Sequence, residues 1–363
     1  MLVSQGRSLT LCSQLAATVL SWRVGALWGS LAADQRTWLL DGALTALGSV
    51  REAASRRAAA ELLNVVAQCC ASDEAALARL IAAVGTAAIS SEASHRASAA
   101  SVLASLTESL GARLAPHHAA IAALLPHSLG AEVACDARAA AARVAGALGN
   151  SWCLTEEAAA CLRGGALPLL LAAASHVGGD AACEAADEAA LAALGACARL
   201  LLPCDVTNLA AVALRRAAQG DVRHAARLSI LTLLTCLAEA DADSFSPDAP
   251  ACASALWPLC WADDEDDEDA HQLAGAAQDT LGGLSAMVPE RAGLALPILR
   301  ALSDSCAAGD ARAAPQAAPA LRALAAVCDS CRGAVRSSLP ELLPALCVAL
   351  GPQQLRRVRC AAV

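Results

Sequence analysis

Seven consecutive carboxylates, Asp263, Asp264, Glu265, Asp266, Asp267, Glu268 and Asp269, are the densest chemistry in this chain. They cannot all be neutralised by neighbours in sequence, because the nearest basic residues are Arg227 and Arg291. A block of that sign attracts arginine- and lysine-rich segments, speeds their arrival and loses strength as salt screens it. A solvated loop that keeps an apolar chain dispersed would have the same composition. Position favours binding: the run falls in a turn between two helical segments, and in a repeat array such turns gather along one edge, beside the concave face.

Other chemistry is sparse. Cys328 and Cys331 form a C-x-x-C pair, yet zinc would need a second pair and a thioredoxin-like motif a βαβ setting. The 17 cysteines are odd in number and irregularly spaced, which suits small buried hydrophobes in a reducing cytosol or nucleus. His117 and His118 follow Pro116 at a helix start, where adjacent side chains diverge, so joint metal ligation is not expected. Glu156 and Glu157 belong to a first helical turn, where negative charge suits the helix dipole. The chain has no lysine, since all 26 basic residues are arginine, and this excludes a Walker phosphate loop and a Schiff-base amine. G-x-S-x-G, H-E-x-x-H and G-x-G-x-x-G are absent. No catalytic residue, metal or cofactor is expected. A net charge of -9 disfavours nucleic acid and favours basic protein partners. The six tryptophans, Trp22, Trp28, Trp38, Trp152, Trp257 and Trp261, read as packing residues because no basic groove accompanies them.

The elements that must position the acidic run are helices. Apolar residues make up 57% of the chain, mostly alanine and leucine, with 2% aromatics, a composition suited to close helix-on-helix packing. No segment alternates with period two for long enough to predict a strand. Charged residues followed by alanine clusters mark second helices at Arg56, Arg96, Arg138, Asp187, Arg223, Arg312 and Arg359. Most of these anchors lie about 36 to 49 residues apart, and one longer gap hides a further second helix from His271. First helices precede them, as at Ala33, Pro116 and Thr155. Two helices per unit at this period predict HEAT repeats, with armadillo units disfavoured by the lack of a short third helix. The expected architecture is an all-α, HEAT-repeat superhelical solenoid of about eight units.

At the far end Leu339, Leu342, Leu343, Leu346, Cys347 and Leu350 are predicted to share one helix face. Ser338 and Glu341 fit a capping box, with Pro340 in the first turn and Pro344 deeper, where it should bend the helix. A second helix from Leu355 would be cut short at Val363. Ser8–Trp22 makes a poor signal peptide and Leu114–Ala131 a poor membrane span, so no membrane insertion is expected. The domain reading is 1–31 as an incomplete repeat, 32–262 as tandem HEAT repeats, 263–269 as an acidic loop within a repeat, and 270–363 as further repeats, the last truncated.

Several stretches, taken in order, resemble one family. They are W-x-x-L-A-A-D-Q-R-x-x-L at Trp28 to Leu39, PHH at Pro116 to His118, the acidic insert within a repeat, VPERAGLALPILRALSDS after it, and LPELLPALCVALGPQQLRRVRCAAV at the end. The chain is similar to the importin beta superfamily of nuclear transport receptors, or karyopherins, and within it to the importin-4 type. The resemblance runs from about Leu11 to Val363 and corresponds to an amino-terminal fragment of a full receptor. It implies a non-enzymatic import receptor that carries basic cargo, such as histones or ribosomal proteins, through the nuclear pore. Phe-Gly nucleoporins and Ran-GTP would be its other partners, cargo would leave when Ran-GTP binds, and the protein would move between cytoplasm and nucleus. Asp263–Asp269 would then contact Ran or basic cargo. Two features depart from the family pattern: the first repeat is incomplete, and the acidic insert is short. The competing reading is a static HEAT scaffold that organises a complex without Ran.

Overall fold

Alanine- and glycine-lined helix faces let backbones approach closely, and this contact repeats along the fold. The computed structural model describes residue 19 and residues 22–49, 53–175, 181–217, 222–261, 267–288, 293–307, 314–328 and 330–350, and every regular element among them is helical. The chain divides after Leu200 into two compact units.

The first unit contains α1 (Ala33–Ser49), α2 (Ala53–Cys69), α3 (Glu74–Ala88), α4 (Ala93–Leu110), α5 (His118–Leu124), α6 (Cys135–Gly149), α7 (Glu156–Ser175) and α8 (Ala181–Ala196). Helices α2, α4, α6 and α8 stack in sequence as one layer, and α1, α3, α5 and α7 stack as the other. These are the second and first helices expected of HEAT units. The α6–α8 contact shows why alanine dominates: Ala140, Ala141, Ala145, Ala190 and Ala193 are buried, and a Cβ on Gly146 would lie 3.3 Å from the Ala193 Cα. The second unit contains α9 (Pro203–Ala217), α10 (His224–Ala240), α11 (Ala249–Leu256), α12 (Glu268–Met287), α13 (Ala295–Ala307), α14 (Ala314–Cys328) and α15 (Arg332–Leu350). There α10, α12 and α14 stack as second helices, and α9, α11, α13 and α15 as first helices.

Local chemistry sets the helix ends. Asp73, Thr155 and Asp267 accept from the backbone N–H three residues on, at 3.0, 3.2 and 3.0 Å, and so start α3, α7 and α12. Gly111 ends α4 at φ 50°, a left-handed conformation in which a side chain would be strained. Helix α7 is long and apolar enough to cross a membrane by length and composition, but Leu162, Ala166, Leu167, Leu170 and Ala174 are buried in the protein. One turn of it, Leu162–Ala166, is π-helical; a Cβ on Gly165 would lie 2.8 Å from Pro126 Cγ, so glycine permits that crossing.

The structure corrects three expectations. Helix α15 begins at Arg332, so Ser338 does not cap it and both Pro340 and Pro344 lie in its interior. Its leucines divide between two stripes: Leu342 is buried, while Leu339, Leu343 and Cys347 are exposed. Adjacent positions such as 342 and 343 point about 100° apart, and only one of the two stripes faces α13. The tryptophans are not all packing residues, since Trp22, Trp38 and Trp152 are 84%, 72% and 89% exposed. Arg312, Arg359 and the helix expected from Leu355 lie outside the described residues.

Candidate partner-binding surface

The last three residues of the acidic run start a helix. Asp263, Asp264, Glu265 and Asp266 lie outside the described residues, whereas Asp267, Glu268 and Asp269 are exposed at the beginning of α12. Asp267 is the N-cap, and Glu268 and Asp269 occupy the first turn, where carboxylates offset the partial positive charge of the unpaired amides. Three of the seven charges therefore already have a structural task. The sequence places this helix start at His271; it lies three residues earlier because an aspartate with free N–H groups beyond it is a strong cap. His271 instead closes the turn, with Nδ1 2.9 Å from the Asp267 carbonyl oxygen.

Beside this helix start is a cleft of about 320 Å³ lined by Cys260, Trp261, His271, Gly275, Gln278 and Arg322. Gln278 donates to the Cys260 carbonyl at 2.8 Å, which ties the strand of chain before the acidic run to α12. Arg322 reaches across from α14 and lies over the Trp261 ring at 5.1 Å. Its Nε is buried without an acceptor among the described residues. Sequence reading missed Arg322 because it lies one repeat further on; the signal was its place in a second helix stacked beside the one that follows the acidic run.

A second cleft of about 270 Å³ lies between neighbouring first helices α1 and α3. Arg36 sits over Trp28 at 5.6 Å and donates to the Gly29 carbonyl at 3.2 Å. Arg79 on α3 pairs with Asp41 on α1 at 2.5 Å, both side chains half-exposed. Cys70 also lines this cleft; burial, with Asp73 adding to it, pushes its thiol up to about 11, so it stays protonated.

The remaining candidates are structural. His118 is buried while His117 is half-exposed, so the two do not converge. Glu156 pairs with Arg163 about two helical turns beyond it, and Glu157 is exposed in the same first turn. Cys331 is buried and Cys328 half-buried. No cluster of three or more metal-ligating side chains occurs among the described residues.

No protein-family model and no curated protein matches the sequence. The fold, however, has close counterparts among solved structures. It superposes on the crystal structure of Kap121p over 96% of this chain and 34% of that one, with a TM-score of 0.73 and 16% identity. In fold, the chain is similar to a karyopherin. The karyopherin Kap121p bound to the SUMO protease Ulp1p matches over the same shares at a TM-score of 0.68 and 14% identity, and Kap121p bound to RanGTP at 0.66 and 14%. The fold class expected from the sequence, an all-α HEAT-repeat solenoid, is the one observed. This chain spans about a third of the length of those karyopherins.

Proposed function

We propose that the chain acts as a nuclear import receptor: it binds basic protein cargo, carries it through the nuclear pore between cytoplasm and nucleus, and releases it to Ran-GTP. The observation that carries this reading is the likeness of the fold to a karyopherin over 96% of the chain. Asp263–Asp269 would supply the field that draws in a histone- or ribosomal-protein-like segment, and the Trp261–Arg322 cleft beside them would receive an apolar or aromatic side chain of that segment. The groove between α1 and α3, with Trp28 at its edge, suits a Phe ring of a Phe-Gly nucleoporin. Catalysis has no part in this reading.

The test is retention of the chain on immobilised Phe-Gly repeats, with release of a bound histone-tail peptide on adding Ran-GTP. A receptor shows both, and a static scaffold shows neither.

A further inference from the structure

Cys135 opens α6 and Cys183 lies in the first turn of α8, one repeat further on and at the matching place in its second helix. Their sulfur atoms are 2.7 Å apart, inside van der Waals contact for two thiols. The guanidinium of Arg138 bridges the pair, donating from one terminal nitrogen to the Cys135 Sγ at 3.1 Å and to the Cys183 Sγ at 3.4 Å. Both cysteines are half-buried, so a small oxidant can reach them. We propose that Cys135 and Cys183 form a peroxide-responsive dithiol that closes to a disulfide and ties the starts of two successive second helices together.

The setting suits each step. The Arg138 guanidinium, in hydrogen-bond reach of both sulfurs, can steady the negative charge that moves from sulfur to the departing hydroxide. Arg138 is nearer Cys135, so the Cys135 thiolate attacks the peroxide: an S–O bond forms, the O–O bond breaks and hydroxide leaves, giving a sulfenic acid. The Cys183 thiolate then attacks that sulfur, an S–S bond forms and a second hydroxide leaves. In all, two thiols and one hydrogen peroxide give one disulfide and two waters; the sulfurs lose the two electrons that the peroxide gains. Closure brings the sulfurs from contact to a bond of about 2.05 Å, within the reach of side-chain rotation. Elsewhere burial works against this chemistry: Cys197 and Cys260 have thiols pushed up to about 12, and each donates to a backbone carbonyl.

The experiment treats the reduced full chain with sub-stoichiometric hydrogen peroxide, blocks residual thiols with iodoacetamide, cleaves after arginine and identifies linked peptides by mass spectrometry. The Cys135–Cys183 link should be the first disulfide to form, ahead of modification at exposed Cys204, and a thiol reductant should reverse it. Arg138→Gln should slow its formation about tenfold, the effect of losing one charge-assisted hydrogen bond to the reacting sulfur. Cys183→Ser should leave a sulfenic acid at Cys135 that dimedone captures. Cys204 oxidising while Cys135 and Cys183 stay alkylated, or no dimedone adduct at Cys135 in a Cys183→Ser chain that keeps its helical circular dichroism, would overturn the proposal.

Discussion

His118 is buried within α5, and that burial holds its imidazole below the usual histidine range; a hydrogen bond with the Gly111 backbone opposes the shift, and neighbouring His117 adds to it. A depressed histidine pKa means that the folded protein prefers the neutral ring. The associated stability is fully present above the unfolded value, near pH 6.5, and is lost as pH falls towards the folded pKa. The wild-type chain should therefore lose stability between pH 7.5 and 5.5, and His118→Gln should flatten that slope. Urea melts of both proteins at the two pH values check it, and equal slopes would contradict it. At this scale the sequence was only partly legible. Diverging histidines and first-turn carboxylates follow from helix geometry alone, and the structure has both. The Arg322–Trp261 and Cys135–Cys183 contacts do not, because each joins residues one repeat apart. Cys135-Asp136-Ala137 and Cys183-Glu184-Ala185 do share a pattern in the sequence, but nothing local says that their sulfurs meet.

Helix packing makes two glycines respond oppositely to the same change. Gly149 ends α6 against α8, and a Cβ there would stand 2.5 Å from the Cys197 Sγ and 2.9 Å from the Ala196 carbonyl oxygen, which is backbone and cannot turn away. Gly149→Ala should cost about 1–3 kcal/mol through overpacking. Gly42, inside α1, has open space around its missing Cβ, so Gly42→Ala should gain up to about 1 kcal/mol from helix propensity. Thermal melts of the two variants should shift in opposite directions. Caps are a second lever: Asp267→Ala should cost about 1 kcal/mol, while Asp267→Asn should be nearly neutral because an amide oxygen also accepts from Ala270 N–H. Helix starts that depend on such local bonds, as at Ala33 and Thr155, were readable in advance. The start of α15 was not, because Ser338 and Glu341 mimic a capping box although the helix already runs from Arg332, and its burial pattern is set by α13.

Across the whole chain, the repeat period of about 40–47 residues was the most legible feature, because each unit buries its apolar stripes against its neighbours and so repeats its pattern. The karyopherin-like fold bears that out. The acidic run was legible as charge and not as structure. Asp267, Glu268 and Asp269 help to start α12, which leaves Asp263, Asp264, Glu265 and Asp266 as the residues whose neutralisation separates steering from helix capping. Their conversion to Asn and Gln should leave the thermal melt unchanged. The direct test of the receptor reading is the association rate of a histone-tail peptide with the parent chain and with this four-residue variant across a series of salt concentrations. The account predicts several-fold slower association of the variant at low salt, with the gap closing as salt screens the field beyond roughly 8–10 Å. Identical rates and identical salt slopes would contradict it.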